Sequence, residues 1–294
     1  MKEEPNDMKC IASDMDGTLL NEDQKISEEN RKALEAVRDM GGQVIIATGR
    51  SFKEARLVLD EINFNCPIIS MNGAAVYDQK GELITSQPIS FEELDSAITF
   101  LEEAGLYFEL YTNHGVFSKN PERAIDSLVD IVLSANPEHD REDVRRRALA
   151  RIEYGFLFET QDYHALIKEE DMQVFKILVF SLYKDQLSQA AHGLARFDGL
   201  TITSSGKGNI EINHRGISKG NALEKLLSQY GIPLEETIAI GDNLNDVSMF
   251  EKAGLSIAMG NARDDIKRIC KDTTLSNKED GVAHAIYRYM VSKK

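Results

Sequence analysis

The sequence predicts an α/β protein: a doubly wound, mostly parallel, Rossmann-like sheet that carries an inserted α+β domain. Short apolar runs typical of buried strands alternate with amphipathic helical segments at the start of the chain, and this alternation returns near its end. Between these two parts, strands and helices follow one another without βαβ regularity. We therefore assign residues 1–85 and 206–294 to one domain and residues 86–205 to an insertion.

The opening half of the sheet comprises three predicted strands and the two helices between them. The strands are continuous apolar segments near residues 10–12, 43–47 and 67–70, as expected for strands that are covered on both faces. Ser27 is placed to cap the first helix, and Ser51 with Glu54 forms a capping box for the second. Strand, helix, strand, helix, strand is the first half of a doubly wound sheet.

The insertion follows a predicted hairpin at residues 75–77 and 83–85. Its predicted helices begin at Ser90 and Pro121 and cover residues 140–150 and 184–194; its strands cover residues 107–111, 115–118, 174–182 and 200–204. We interpret Gly206-Lys207-Gly208 as a hinge. From Asn209 we expect the first pattern to resume, with a helix from Lys219, strands at 237–240 and 255–258, and a last helix from about residue 279.

Composition excludes several classes of protein. The 294 residues are 42% hydrophobic, enough for a sizeable core, and no apolar run is long enough to span a bilayer. The polar first residues do not form a signal peptide. A net charge of −15 argues against nucleic acid or an anionic membrane as the main partner. Three widely separated cysteines indicate thiols in a reducing compartment, so we expect a cytoplasmic location.

Three polar clusters follow predicted strands at their carboxyl ends, where ligands bind in doubly wound sheets. The first contains Asp14 and Asp16, the second Thr48 and Gly49, and the third begins at Asp242. Because side chains alternate along a strand, we expect Asp14 and Asp16 to reach one cavity together. With the strand order 3-2-1-4-5, the first and third clusters lie side by side.

The chemistry of these clusters favours phosphoryl transfer. Asp14, Asp16 and Asp242 offer hard oxygen ligands that suit Mg²⁺. Lys219, at the start of a helix, adds a positive charge beside the positive end of the helix dipole. An Asp-x-Asp alone is more often an Asx turn, and a single lysine is more often a surface residue. The combination is what predicts an anion site next to a magnesium site.

Four segments of the chain resemble the motifs of the haloacid dehalogenase (HAD) superfamily, in order and in spacing. They are Asp14-Met15-Asp16-Gly17-Thr18, Ala47-Thr48-Gly49-Arg50, Lys219 and Gly241-Asp242-Asn243-Leu244-Asn245-Asp246. Met71-Asn72-Gly73-Ala74 and the insertion resemble the Cof-type branch, subfamily IIB, whose inserted domain is a C2-type cap. The resemblance covers nearly the whole chain past Met8. It implies a HAD-like catalytic core and a cap, at residues 86–205, that selects the substrate.

The resemblance also implies roles for individual residues. Asp14 is expected to be the nucleophile that forms an aspartyl-phosphate, and Asp16 the general acid and base. The expected ligands of Mg²⁺ are the Asp14 carboxylate, the Asp16 main-chain carbonyl and Asp242, with Asn243 nearby. The expected phosphate-binding groups are the Met15 amide, Thr48, Gly49, Lys219 and Asn245. Asp246 is expected to orient Lys219.

The expected activity is a Mg²⁺-dependent phosphatase acting on a small phosphorylated metabolite. Candidates are sugar phosphates, 5-amino-6-(5-phosphoribitylamino)uracil, flavin mononucleotide and pyridoxal phosphate. Asp16 favours a phosphatase over a dehalogenase, because an alkoxide leaving group needs an acid and a halide does not. Two alternatives stay open: a phosphomutase of the same fold, and a binding or regulatory protein without turnover. We expect a monomer, since the insertion is large enough to screen the cleft without a second subunit.

Overall fold

The computed structural model describes residues 8–135, 140–204 and 208–291. The strands, in chain order, are β1 Cys10–Ser13, β2 Gln43–Ala47, β3 Ile68–Ser70, β4 Ala75–Tyr77, β5 Leu83–Ser86, β6 Tyr107–Thr112, β7 Val116–Ser118, β8 Leu157–Glu159, β9 Val174–Phe180, β10 Leu200–Thr203, β11 Asn209–His214, β12 Thr237–Gly241, β13 Leu255–Ala258 and β14 Asp272–Thr273. The helices are α1 Glu28–Asp39, α2 Phe52–Glu61, α3 Phe91–Glu103, α4 Pro121–Ala135, α5 Arg141–Glu153, α6 Tyr163–Leu166, α7 Lys184–Leu194, α8 Lys219–Tyr230, α9 Val247–Phe250, α10 Asp264–Ile269 and α11 Gly281–Tyr289.

The chain divides into two compact units. The core unit comprises Met1–Ser86 and Ile217–Lys294, and the inserted unit comprises Gln87–Gly216. Each unit has an apolar cluster of its own, built from residues of that unit alone. Over the residues that are described, no helix combines the length and the hydrophobicity that crossing a membrane requires.

The core unit contains an eight-stranded sheet in the order β14-β13-β12-β1-β2-β3-β4-β5. Its strands from β14 to β3 pair in parallel, and β4 and β5 add an antiparallel edge. The predicted doubly wound, mostly parallel sheet is therefore confirmed. Because β1 lies between β12 and β2, the loops that follow these three strands emerge next to one another.

Local sequence explains the helices that flank this sheet. Ser27 caps α1 by accepting a hydrogen bond from the Asn30 N–H, and Ser51 with Glu54 forms the predicted capping box at α2. Strand β2 has four consecutive buried residues, Val44 to Ala47, which is typical of a parallel strand covered on both faces. The core of this unit is formed by such strands together with the apolar faces of the helices.

The inserted unit contains a six-stranded sheet in the order β10-β11-β9-β6-β7-β8. All pairs in it are antiparallel except β7 with β8. Apolar residues of α3 and α7, such as Ile98 and Leu194, join the buried strand residues Leu110 and Ile177 in one cluster. Buried polar residues also lie on these strands: Glu109 pairs with Arg151 at 2.9 Å, and Lys176 with Glu211 at 3.4 Å.

The second boundary between the units differs from the predicted one. The predicted insertion ends at residue 205, but the contacts place its end at Gly216, because β11 belongs to the inserted sheet. β11 pairs antiparallel with both β9 and β10, and Ile210 and Ile212 are buried in the inserted unit's cluster. The apolar alternation in this strand does not reveal which of two sheets it joins. Gly206 and Lys207 of the predicted hinge lie outside the described residues.

Candidate active site

Asp14 and Asp16 lie in a turn and not on one strand. β1 ends at Ser13, and residues Met15–Leu19 form a single helical turn that is broken at Asp16 and Gly17. Gly17 has φ +76°, and a Cβ atom there would lie 2.6 Å from Asp242 Oδ2. Glycine is therefore required both for the backbone conformation and for the close approach of Asp242. Strand alternation does not set the directions of Asp14 and Asp16, because β1 ends at Ser13, before both residues.

Asp14 is buried and forms an ion pair with Lys219. Lys219 Nζ lies 2.6 Å from Asp14 Oδ1 and 2.8 Å from Asp246 Oδ1, and its side chain is fully buried. Burial opposes the positive charge of Lys219, but Asp14 and Asp246 outweigh this effect and raise its pKa. Burial raises the pKa of Asp14, and Lys219 lowers it in part. Lys219 is thus held as a cation against two carboxylates.

Asp246 organises the loop that follows β12. Its Oδ1 accepts a hydrogen bond from Lys219, and its Oδ2 accepts the backbone N–H groups of Asp242 and Asn243 at 3.0 and 3.1 Å. The same carboxylate therefore fixes both the lysine and the start of the loop. A Cβ atom on Gly241 would lie 2.4 Å from Asp246 Oδ2, so the loop needs glycine there as well.

Three carboxyl groups of the core unit converge on one point. Oxygen atoms of Asp14, Asp242 and Asp246 all lie within 4.8 Å of one another. Burial, followed by the charge of Asp246, raises the pKa of Asp242 to about 7, although Thr18 Oγ1 donates to its Oδ1 at 3.2 Å. Lys219 supplies one positive charge to three carboxylates. A divalent cation with a preference for oxygen ligands fits this excess of negative charge.

This group lacks the side chains of two residues of the predicted metal site, Asp16 and Asn243, and it contains Asp246, which was expected to orient Lys219. The predicted ligand from Asp16 is its main-chain carbonyl, and that prediction does not depend on the direction of the side chain. Asp16 directs its carboxylate to Arg50, with which it forms two hydrogen bonds of 2.6 and 2.8 Å, and half of its side chain is exposed. The Asn243 side chain accepts the N–H of Leu244 and caps the short turn Leu244–Asp246. Asp16 nevertheless lies near enough for its charge to raise the pKa values of Asp14 and Asp242.

The remaining predicted residues lie in the loops around this cluster. Thr48 is fully buried just after β2, and its Oγ1 accepts the N–H of Arg50 at 3.1 Å, across Gly49. Met15 is buried between the two aspartates. Asn245 is partly buried in the loop after β12, and its Nδ2 donates to Asn72 Oδ1 at 3.2 Å.

Helix α8 carries Lys219 into the cluster. Ser218 caps the helix by accepting the N–H of Asn221. Gly220, the next residue after Lys219, packs so closely against α9 that a Cβ atom there would lie 1.9 Å from the Ser248 carbonyl oxygen. This close approach lets the first turn of α8 reach into the site, and it explains why a long lysine side chain at this position is fully buried.

Three residues that contact predicted site residues had no predicted role. Arg50 binds Asp16, Thr18 binds Asp242, and Asn72 binds Asn245. Each lies inside one of the motif segments: Thr18 in the first, Arg50 in the second and Asn72 in Met71-Asn72-Gly73-Ala74. Their partners could not be identified from sequence, because each contact joins two loops that are distant along the chain.

Comparisons with known proteins identify the family. A model of haloacid dehalogenase-like hydrolases matches residues 11–286. The chain is 39% identical to the 5-amino-6-(5-phospho-D-ribitylamino)uracil phosphatase YwtE of Bacillus subtilis, covering 95% of this chain and 97% of that protein. It is 37% identical to the phosphatase YwpJ of the same organism, over 94% and 98%.

A solved structure gives the same result. The structure of a haloacid dehalogenase-like hydrolase from B. subtilis superimposes with a TM-score of 0.89 at 36% identity, and the match covers 96% of this chain and all of that one. The fold, the order of the motifs and the relatives therefore agree. The chain is an enzyme that belongs to the haloacid dehalogenase-like hydrolases, and its resemblance to the Cof-type branch is confirmed.

Proposed function

We propose that the chain is a Mg²⁺-dependent phosphatase that hydrolyses a small phosphorylated metabolite through an aspartyl-phosphate. The observation that carries this proposal is the buried contact of Asp14 with Lys219, next to a second and a third carboxylate. A buried carboxylate that faces a fixed cation is poised to accept a phosphoryl group, whose negative charge the same cation stabilises. Positioning and charge neutralisation are most of what phosphoryl transfer requires.

The chain's own residues fit a magnesium ion. The Asp14 carboxylate, the Asp16 main-chain carbonyl and Asp242 are the proposed ligands, with Asn243 nearby. The carboxyl oxygens of Asp14 and Asp242 lie in the convergent cluster, and hard oxygen donors are those that Mg²⁺ prefers. When bound, the ion would neutralise charge on the phosphoryl oxygens and keep the carboxylates ionised.

The reaction takes place in two steps. In the first, an oxygen of Asp14 attacks phosphorus, the bond to the leaving oxygen breaks, and Asp16 gives that oxygen its proton. In the second, Asp16 takes a proton from water, which attacks phosphorus and releases inorganic phosphate and the Asp14 carboxylate. The Met15 amide, Thr48, Gly49, Lys219 and Asn245 hold the phosphoryl oxygens, and Asp246 orients Lys219.

Arg50 adds a positioning role to this mechanism. It holds the Asp16 carboxylate by two hydrogen bonds and also contacts the Gln24 side chain. During turnover the Asp16 carboxyl group must therefore break its hydrogen bonds with Arg50 and form one with the leaving oxygen. Asp16 also favours phosphate esters over organic halides as substrates, because the alkoxide that leaves a phosphate ester needs a proton and a halide ion does not.

The names of the relatives support a class of substrate, small phosphorylated metabolites, more strongly than any one compound. The name of YwtE gives 5-amino-6-(5-phospho-D-ribitylamino)uracil as the substrate of that protein. We place this compound first among the candidates for the present chain, before sugar phosphates, flavin mononucleotide and pyridoxal phosphate. The inserted unit is the proposed selector of the leaving group. The three free thiols fit our inference of a cytoplasmic protein, and monomer is the proposed oligomeric state.

The test is release of inorganic phosphate from this panel of compounds in Mg²⁺ and in EDTA. We expect release that needs the metal, is lost in Asp14→Asn, and falls by at least about 100-fold in Asp16→Asn. Asp23→Asn, at an exposed position, is the matched control and should keep full activity. Dependence on a bisphosphate activator with little phosphate release would favour a phosphomutase. No turnover by folded protein would favour a binding or regulatory protein.

A further inference from the structure

The short turn after β3 contacts three loops of the candidate active site. Met71–Gly73 forms one helical turn directly after Ser70. The Met71 and Asn72 N–H groups donate to the carbonyl oxygens of Arg50 and Thr48, at 2.9 and 3.0 Å. The turn is therefore tied to the loop that carries Thr48.

The second contact of the turn is with the start of helix α8. A Cβ atom on Gly73 would lie 2.5 Å from the Ser218 carbonyl oxygen, so the backbone of the turn packs directly on the residue that precedes Lys219. The third contact is made by Asn72, whose Oδ1 accepts a hydrogen bond from Asn245 Nδ2 at 3.2 Å. The loops that carry Thr48, Lys219 and Asn245 thus meet at one turn.

The backbone of the turn has a conformation that L-residues rarely adopt. Met71 and Asn72 have φ values of +49° and +59°, and Gly73 has +106°. Two consecutive non-glycine residues in the left-handed region are unfavourable unless the surroundings hold them there, and such strain clusters at functional sites. Asparagine is among the residues that tolerate this region best. The same packing buries Asn72, which is only 4% exposed.

We propose that Asn72 is a positioning residue that holds the Asn245 carboxamide in the orientation that binds the phosphoryl group; this inference rests on the proposed function. Asn245 Nδ2 carries two hydrogens, and the one that Asn72 accepts fixes the plane of the amide. The other hydrogen then points toward the phosphoryl group, because the Asn245 side chain is held in one rotamer. Preorganised donors of this kind bind an anion without the cost of ordering them at each turnover.

The test is a double-mutant cycle of Asn72→Gly and Asn245→Ala. Glycine removes the carboxamide and keeps the left-handed backbone. Asn63→Gly makes the same change at another left-handed asparagine, which is exposed after α2, and serves as the matched control. The readouts are kcat and KM for p-nitrophenyl phosphate in Mg²⁺, and the calorimetric Kd of inorganic phosphate, which needs no turnover.

We expect Asn72→Gly to weaken phosphate binding and to lower kcat/KM by about tenfold, the scale of one hydrogen bond to a charged group. In the Asn245→Ala background the same change should cost less than about twofold, because the group that Asn72 positions is gone. Equal losses in both backgrounds, or no loss in the first, would overturn the proposal. If thermal unfolding shows that Asn72→Gly is unfolded while Asn63→Gly is folded, the Asn72 carboxamide holds the turn itself and the proposal is overturned.

The outcome for Asn72 is separate from that for the proposed function. If wild-type protein binds phosphate but hydrolyses none of the esters, the phosphatase proposal fails while the cycle on Kd still decides the role of Asn72. If wild-type protein is active and the cycle shows no coupling, only the inference about Asn72 fails.

Discussion

At the residue scale, the carboxyl group of Asp242 shows what burial beside other carboxyl groups does when no metal ion is bound. Its pKa is raised to about 7 by burial and then by Asp246, against an ordinary value of 3.8. Between these two pH values the folded protein keeps a proton that the unfolded chain has released. Without metal, the contribution of Asp242 to the free energy of unfolding therefore falls as pH rises from about 4 to about 7. The fall is about 1.4 kcal/mol for each pH unit in that range.

We therefore expect the protein in EDTA to be less stable at pH 8 than at pH 5.5. Urea unfolding at the two pH values measures the difference. Asp242→Asn should weaken this dependence on pH, because the amide carries no charge, while Asp23→Asn should leave it unchanged. Mg²⁺ at pH 8 should restore stability to the wild-type protein, since the ion favours the ionised carboxylates. A pH dependence that is the same in wild type and Asp242→Asn would contradict this account.

For individual residues, the sequence predicts which site residues lie close together better than it predicts where each side chain points. Asp14 and Asp242 were expected at neighbouring strand ends and Lys219 at the start of a helix, and the structure brings the two aspartates together because the strand order is the expected one. The partner of Asp16 could not be predicted. Its direction depends on the backbone angles of a turn, and strand periodicity says nothing about a residue that has left the strand.

At the scale of elements, the first turn of α8 depends on a residue without a side chain. Gly220 lets α8 approach α9 so closely that its N–H donates to Ser248 Oγ at 3.0 Å. Alanine is the better helix former by about 1 kcal/mol, so helix propensity alone predicts that Gly220→Ala stabilises the protein. The Ser248 carbonyl oxygen, 1.9 Å from the new Cβ atom, makes the opposite outcome the expected one.

We expect Gly220→Ala to lower the free energy of unfolding by about 1–3 kcal/mol, as overpacking does. It should also lower kcat/KM for any substrate found, by at least about tenfold, because the displaced helix carries Lys219 away from Asp14. Gly231→Ala is the control: this residue ends the same helix with φ +66° and has no neighbour within 4 Å of a new Cβ atom. It should cost about 1–2 kcal/mol from backbone strain and leave activity unchanged. Equal activity in the two variants would contradict the expectation.

The elements themselves were largely predictable, and their assignment to sheets was less so. Helix α7, for example, has the predicted bounds, since its apolar positions repeat with helical spacing. Strand β11 was assigned to the wrong unit, because its alternating isoleucines fit either sheet. Its pairing with β9 is a contact between segments separated along the chain, and local patterns do not specify such contacts.

At the scale of the whole molecule, the inserted unit has the features of a domain that folds alone. Its apolar cluster contains residues of that unit only, and its two ends lie close together: Gln87 Nε2 is 2.8 Å from His214 Nδ1. We expect a fragment of residues 87–216 to unfold cooperatively on heating, as measured by circular dichroism. A fragment of residues 86–205 lacks β11, which lies between β10 and β9, and should not fold. Equal stability of the two fragments would contradict the assignment of β11.

The position of β1 between β2 and β12 has a consequence for the order of events during synthesis. Cys10 of β1 pairs with Gln43 of β2 on one side and with Thr237 of β12 on the other. β2 is synthesised soon after β1, but β12 is synthesised much later, so one edge of β1 waits for its partner. At about 5–20 residues per second, the ribosome needs roughly ten to forty-five seconds to reach β12 after β1 has been made. During that interval a strand edge that is later interior stays open to other chains, and Asp14 has no lysine beside it. The nascent chain thus keeps one edge of β1 unpaired for most of its synthesis.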